Sequence, residues 1–228
     1  MIVAKFLAVV IIAYLLGSIP SGVLVARRSA KVDIRQLGSG KTGTTNVLRV
    51  AGKKAAALVV TLDLLKGALA VVLAGLLVGR SYLVVGDISL GLLTAQCVAA
   101  LAAMAGHNWS VFLKFQGGRG VATFFGGLIA LSPVVALFGG EVLVIGTGLT
   151  RFASLGSIAG AVGTYTILLP LTILNGFPFE YLIYTLIGTI AIIVMHRDNI
   201  ARLLTGKERK VGEKVAKVDL PPSDQSGG

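Results

Sequence analysis

Long apolar segments joined by short basic ones are the feature that most constrains this 228-residue chain. Several of these segments approach or exceed the roughly 20 apolar residues that a helix needs to cross a bilayer. Helix is required because unpaired backbone groups are too costly in lipid, and the alternation typical of barrel strands is absent. Charged residues make up only 14% of the chain, against roughly 25% in soluble domains, and the mean hydropathy is +0.87. The sequence therefore predicts an all-α, polytopic integral membrane protein.

The apolar segments predict seven transmembrane helices. The stretch 120–149 is too long for one span and short for two, but Ser132 and Pro133 supply a turn at its middle. Lys and Arg collect in cytoplasmic loops, and only an odd number of spans places every basic loop on one side. The N-terminus is therefore predicted outside and the C-terminus in the cytoplasm. The predicted spans lie near residues 3–26, 55–79, 87–106, 119–131, 134–149, 154–174 and 180–196.

The domain organisation is predicted to be simple. Residues 1–204 form a single transmembrane catalytic domain, and residues 205–228 form a basic, disordered cytoplasmic tail. The first apolar segment runs directly into a basic loop without a cleavage pattern, which favours a retained helix over a secretion signal. The single cysteine, Cys97, excludes an intramolecular disulfide and offers no metal cluster, so we predict neither metal nor cofactor. The net charge of +11 is explained by topology and anionic lipid headgroups rather than by nucleic-acid binding.

The stretch "GSGKTGTTN", from Gly38 to Asn46, is superficially similar to the phosphate-binding loop of nucleotide hydrolases. That pattern needs a glycine five positions before Gly40, where this chain has Arg35, and it follows a short buried strand. The preceding segment is far too long and apolar to be such a strand. The nucleotide-hydrolase interpretation therefore fails, although small residues that expose N–H groups beside cations still favour an anion site.

Three glycine-bearing polar segments fall on one predicted membrane face: "GSGKTGTTNVLRVAGKKAA", "GHNWSVFLKFQGGRGVAT" and "HRDNIARLLTGKE". Taken singly, such glycines are usually helix caps or packing residues, and such cations usually reflect topology. Together they predict two anion sites, one where a helix opens beside Arg119 and one around Ser39. Two phosphate sites in one membrane pocket indicate transfer chemistry between phosphorylated molecules. The glycines concerned are Gly117, Gly118 and Gly120 near Arg119, and Gly38, Gly40 and Gly43 near Ser39.

These segments, with "AYLLGSIPSG" and "LDLLKG", make the chain resemble the bacterial acyl-phosphate:glycerol-3-phosphate acyltransferases, up to about residue 210. The chain departs from that family's usual pattern at Lys41, Thr42, Thr44 and Arg119, the last being commonly lysine. The resemblance implies transfer of an acyl chain from acyl phosphate to the 1-hydroxyl of glycerol 3-phosphate, which releases phosphate and 1-acylglycerol 3-phosphate. It also implies a bacterial inner-membrane location, a cytoplasmic active site, contact with membrane lipids and coupling to an enzyme that makes acyl phosphate.

The resemblance also implies residue roles. Ser39, Arg49 and Arg119 would bind phosphate and stabilise developing charge, while His196 and Asn199 would complete the catalytic set. The proton of the attacking hydroxyl is assigned to a substrate phosphate in preference to His196, because the second phosphate pKa is about 6. The other expected residues are Asn46 and Ser157 in phosphate binding, Glu208 as a brace, and Asp63 with Lys66 as either a structural ion pair or part of the pocket lining.

Two alternative functions fit the sequence less well. Acyltransferases that use thioesters typically carry a histidine followed five positions later by aspartate, but Phe112 stands five positions after His107. A small transporter or flippase for anionic metabolites would place its site near the midplane between inverted repeats. Here the glycine segments lie at one face and no repeat is evident, which favours the enzyme.

Overall fold

The computed structural model of the chain describes residues 2–86 and 88–213. Within this part the fold is helical apart from one small hairpin. The helices are α1 (Ile2–Ser18), α2 (Ser21–Ala30), α3 (Thr44–Val78), α4 (Leu92–Asn108), α5 (Val121–Leu131), α6 (Pro133–Thr150), α7 (Ala153–Asn175), α8 (Phe179–Met195) and α9 (Arg197–Leu204). Two 3₁₀ turns lie at Ile34–Gln36 and Val111–Leu113, and strands β1 (Leu83–Val85) and β2 (Ile88–Leu90) pair antiparallel.

The span count of seven is not established by helix length. Four described helical segments are long and apolar enough to cross a membrane, or five if the bent α8–α9 pair counts as one. Helix α5 has only 11 residues, about 16 Å of rise against a hydrocarbon core of about 30 Å. Helix α5 is therefore shorter than a bilayer of average thickness requires of a span. The predictions at 134–149, 154–174 and 180–196 coincide with α6, α7 and α8.

Several predicted boundaries differ from the structure. The first apolar segment is broken at Pro20, which precedes α2 and lacks the N–H that a continuous helix needs. The third predicted span starts too early, because the β1–β2 hairpin occupies the chain before α4 begins at Leu92. Residues 205–213, which fall within the predicted tail and are here called the C-terminal strap, fold back along the protein. Residues 214–228 lie outside the described residues.

Helix α3 is the longest element, with 35 residues, and begins well before the predicted span at 55–79. Its regular geometry breaks at Gly52, where φ is 84°. Glycine tolerates this left-handed backbone because it has no Cβ. The break separates the first two turns, which carry Arg49, from the long apolar part of the helix.

Glycines bring the helices into close contact. A Cβ added at Gly17 or Gly106 would collide with the facing backbone of α4 or α1, and one at Gly67 or Gly126 with that of α5 or α3. Small residues allow such approach between membrane helices, where packing rather than water exclusion drives association.

The deepest packing surrounds α5. Phe124 stacks on Tyr184 with ring centroids 5.2 Å apart, and the Tyr184 hydroxyl donates to the Phe124 carbonyl at 2.7 Å. Both side chains are fully buried. This contact fixes α5 against α8.

Candidate active site

The first loop is organised by one buried amide. Asn46 Nδ2 donates to the carbonyls of Ile34, Leu37 and Lys41 at 3.2, 3.0 and 2.9 Å. Its Oδ1 accepts from the Ser39 N–H at 3.1 Å. Asn46 was predicted to bind phosphate, but its amide oxygen and nitrogen form hydrogen bonds within the loop and fix the shape of the loop. The consequence is that Ser39 is held in place.

Ser39 faces a polar cavity of about 250 Å³ at the end of the helix bundle. The segments that meet there are the first loop, the start of α3, the turn before α5, the start of α7, and the chain from His196 through the strap. Five cations and two carboxylates line it, an excess of three positive charges that suits a phosphate-bearing ligand. The charged residues are Lys41, Arg49, Arg119, Arg202, Arg209, Asp198 and Glu208.

Two arginines reach this cavity from different elements. Arg49 comes from the first turns of α3, and its Nη2 donates to the Arg209 carbonyl at 3.3 Å. Arg119 comes from the turn that precedes α5. The buried Nε atoms of both side chains have no hydrogen-bond partner among the described residues. Buried donors are normally satisfied, so these two are available to an anionic ligand.

His196 and Asn199 lie at the junction of α8 and α9, where the two helices bend by 60°. His196 Nδ1 lies 2.8 Å from the Ile192 carbonyl. A carbonyl only accepts, so Nδ1 carries the proton and Nε2 of the neutral ring remains an acceptor. Asn199 donates to Glu208 Oε1 at 2.6 Å. Ser157 lines the same cavity and donates to the Ala153 carbonyl at 2.7 Å.

Glu208 attaches the strap to this junction. Its carboxylate accepts from Asn199, from Ser154 Oγ at 2.9 Å and from Arg202 Nε at 2.8 Å. Burial alone would raise the pKa of Glu208, but these hydrogen bonds outweigh it and hold the pKa below its usual value. Further along, the Val211 N–H donates to the Arg151 carbonyl at 2.7 Å. The strap therefore closes one side of the cavity.

An apolar groove of about 480 Å³ continues from the polar cavity between α3, α5 and α6. Leu64, Phe125, Ile129 and Leu143 are among its lining residues. Eight residues line both spaces, so the two are continuous. These junction residues are Ser39, Lys41, Thr45, Arg49, Arg119, Ala153, Ser157 and His196.

The predicted glycines divide between lining and packing positions. Gly38 lines the polar cavity, and Gly43 and Gly120 line the groove. Gly40 has φ of 68° and shapes the loop. Gly117 and Gly118 line neither space: a Cβ at either would collide with His107, and the Gly118 N–H donates to the His107 carbonyl at 3.0 Å. That N–H is committed to the protein rather than to an anion.

A buried polar cluster lies behind the turn that carries Arg119. Lys66 Nζ lies 2.8 Å from Asp63 Oδ1 and 2.7 Å from His107 Nδ1, and Ser21 Oγ donates to Asp63. Asp63 and His107 also line the groove, whereas Lys66 does not. Through Ser21 and His107 the ion pair on α3 is joined to α2 and α4. His107 also packs against Gly118. Both interpretations of Asp63 and Lys66 are compatible with this arrangement.

Sequence reasoning missed several cavity residues. Lys41, predicted only as a departure from the family's usual pattern, lines both spaces, and Arg209, which belongs to the predicted tail, lines the polar cavity. Their only signal was positive charge close in sequence to Ser39 and Glu208.

The chain is similar to known proteins along nearly its whole length. A family profile described as glycerol-3-phosphate acyltransferase matches residues 7–206. Glycerol-3-phosphate acyltransferase 3 of Dehalococcoides mccartyi strain CBDB1 is 63% identical, over 94% of this chain and 100% of its own. The glycerol-3-phosphate acyltransferase of Thermoanaerobacter pseudethanolicus is 43% identical, over 90% and 95%.

Two solved structures share the fold. A crystal structure of PlsY (YgiH), an integral membrane glycerol 3-phosphate acyltransferase, in its glycerol 3-phosphate form has a TM-score of 0.78 and 38% identity, over 91% of this chain and 96% of that one. Its lysophosphatidic acid form has a TM-score of 0.75 and 37% identity, over 90% and 94%. The chain belongs to the glycerol-3-phosphate acyltransferase family of integral membrane proteins.

Proposed function

We propose that this protein transfers a fatty acyl chain from acyl phosphate to the 1-hydroxyl of glycerol 3-phosphate, giving 1-acylglycerol 3-phosphate and phosphate. The observation that carries the proposal is the junction at which a cationic cavity opens into an apolar groove. An acyl phosphate has one end suited to each space. The glycerol 3-phosphate ligand named for the related structure supplies a second phosphate for the same basic cavity.

In the proposed reaction the glycerol hydroxyl oxygen attacks the acyl carbonyl carbon. The tetrahedral intermediate collapses by breaking the bond between that carbon and the phosphate oxygen, and phosphate leaves. Arg49 and Arg119 stabilise the oxyanion and the leaving phosphate from fixed positions, which is the largest catalytic contribution in such sites. Ser39 and Ser157 orient the phosphate groups.

The hydroxyl proton passes to a substrate phosphate, whose second pKa is about 6. Arg119 is excluded as a base because guanidinium stays protonated in proteins. The neutral His196 ring offers Nε2 as an acceptor and orients the hydroxyl, while Asn199 positions the helix junction through Glu208.

Acyl phosphate is favoured over a thioester donor. The sequence has no aspartate five positions after His107. The structure gives a second argument against a thioester donor, because His107 Nδ1 accepts a hydrogen bond from Lys66 Nζ inside the buried cluster. With Nδ1 accepting from Lys66, Nε2 of the neutral ring carries the proton, so this histidine is not placed to act as the base of a thioester-dependent site.

We also propose an inner-membrane location with the site on the cytoplasmic face and the N-terminus outside. The turn before α5 and the start of α7 both reach the polar cavity, so the α5–α6 pair leaves and returns to one face. That return supports the parity of the seven-span topology. A peripheral enzyme that makes acyl phosphate would deliver its product at the same face.

The proposal is tested with protein purified in detergent, given glycerol 3-phosphate and either palmitoyl phosphate or palmitoyl-CoA. We expect phosphate release matched one for one by lysophosphatidic acid from the acyl phosphate, and no product from the thioester. Ser39→Ala and Arg49→Ala, with unchanged melting temperatures, serve as matched inactive controls. Turnover from the thioester alone, or from neither donor, would refute the proposed reaction.

A further inference from the structure

The apolar groove has a defined length along α6. Thr147, Leu143, Gly140 and Ala136 recur at intervals of three or four residues, so they lie on one face of that helix. From Thr147, next to the polar junction, to Ala136 the helix rises about 16 Å. This is close to half of the roughly 30 Å hydrocarbon core, the depth of one lipid leaflet.

At the far end of the groove, α6 contributes only small residues, Ala136 and Gly140. Ala136 lies within a turn of the start of α6, and Gly140 follows one turn later. A Cβ placed at Gly140 would have no heavy atom within 4 Å. The space beside Gly140 is therefore open, whereas one turn closer to the junction α6 presents the larger side chain of Leu143 to the groove.

We propose that Gly140 and Ala136 determine the acyl-chain length that this protein accepts, by leaving the far end of the groove open to chains as long as those of membrane lipids. This proposal rests on the proposed function, since it requires the acyl chain to lie in the groove. A larger side chain at position 140 would exclude the terminal methylenes of a long chain and leave a short chain undisturbed.

Gly148 provides a matched control on the same helix. It is exposed, lines neither the polar cavity nor the groove, and also has open space around an added Cβ. Both glycines lie in the interior of α6, so a leucine at either position gives a similar gain in helix propensity. A difference between the two variants therefore reports the groove.

The experiment measures kcat/KM for palmitoyl phosphate and decanoyl phosphate, at saturating glycerol 3-phosphate, for the wild type, Gly140→Ala, Gly140→Leu and Gly148→Leu. We expect Gly140→Leu to lower the ratio of long-chain to short-chain kcat/KM roughly tenfold, the scale at which apolar pockets discriminate methylenes. Gly140→Ala should have a smaller effect, Gly148→Leu should match the wild type, and the KM for glycerol 3-phosphate should not change.

The outcomes separate the two proposals. A wild type that uses acyl phosphates, with the same ratio in all four proteins, would overturn the role of Gly140. A ratio lowered equally by Gly148→Leu would also overturn it, because the effect would then belong to the helix. A wild type that uses neither acyl phosphate would refute the proposed function itself, and the length proposal with it.

Discussion

At the scale of single residues, Arg119 brings a permanent positive charge to the proposed site. Its buried Nε has no hydrogen-bond partner in the described part of the chain, and the side chain lies at the junction of cavity and groove, where negative charge develops in the proposed transition state. We expect the charge to matter more there than the shape of the guanidinium, although only arginine can bind phosphate through two parallel hydrogen bonds.

We expect Arg119→Ala to lower kcat by about 10²–10³, the usual cost of removing one donor to a developing oxyanion. The kcat of Arg119→Lys should stay within about tenfold of the wild-type value, because lysine keeps the positive charge. Steady-state kinetics on both variants, with melting temperatures as the control for folding, checks this. Equal loss in the two variants would show that the position needs the guanidinium geometry rather than the charge.

The residues also show what sequence alone can predict. Ser39, Arg49, Arg119, His196 and Asn199 were named from motifs far apart in the chain, and the structure places them around one cavity. Motifs identify such residues because their chemistry is specific, but motifs do not say which atoms are free. That Asn46 and Gly118 use their polar groups within the protein follows from contacts that only the fold creates.

At the scale of elements, the strap and the first turns of α3 were the parts that sequence described least well. The break at Gly52 depends on one backbone angle, and the strap depends on hydrogen bonds from Ser154 and Asn199 to a distant glutamate. Neither feature has an apolar periodicity from which it could be read. The long apolar helices, by contrast, were located to within a few residues from α6 onward.

The docking of the strap should depend on pH. Because the pKa of Glu208 is lowered in the folded protein, its stabilisation is complete above the unfolded pKa of about 4.3 and is lost as the pH falls through the lower, folded value. We expect Glu208→Gln to lower the melting temperature at pH 7, and the difference from the wild type to shrink as the pH falls below about 4.3. Thermal unfolding in detergent measures both.

The matched control is Glu213→Gln, an exposed position in the same strap. It should melt like the wild type at every pH. A deficit of Glu208→Gln that is independent of pH would contradict an electrostatic role for its carboxylate.

At the scale of the whole molecule, helix α5 has 11 residues, about half the length that a helix needs to span a bilayer. Helix α5 is packed between α3 and α8, and α6 returns the chain to the face that it left. If α5 crosses fully, the turn at Ser132 reaches the outer surface through local thinning of the bilayer. If it does not, α5 and α6 form a re-entrant pair, which is tolerated where the backbone is buried in protein.

Cysteine labelling decides between these topologies. In a Cys97→Ala background, which removes the chain's single native thiol, we expect an impermeant maleimide to label Tyr82→Cys and Val134→Cys in intact spheroplasts. Lys207→Cys should react only after permeabilisation. All three native side chains are exposed, so burial does not prevent labelling.

Failure of Val134→Cys alone to react would identify a re-entrant pair and contradict the seven-span topology. Reaction of Lys207→Cys in intact spheroplasts would reverse the proposed orientation.

The strap has a consequence for biosynthesis. Glu208 and Arg209 follow the last described helix, yet one carries the hydrogen bonds that join α7 to α9 and the other meets Arg49. During translation the helices are made first, so they enter the membrane while the cationic cavity is still open on that side. While residue 208 is still inside the ribosome, the nascent chain therefore lacks the contacts that Glu208 and Arg209 make with Ser154, Arg202 and Arg49. If the proposed site is the active one, we therefore expect activity only after the strap has been synthesised and has docked.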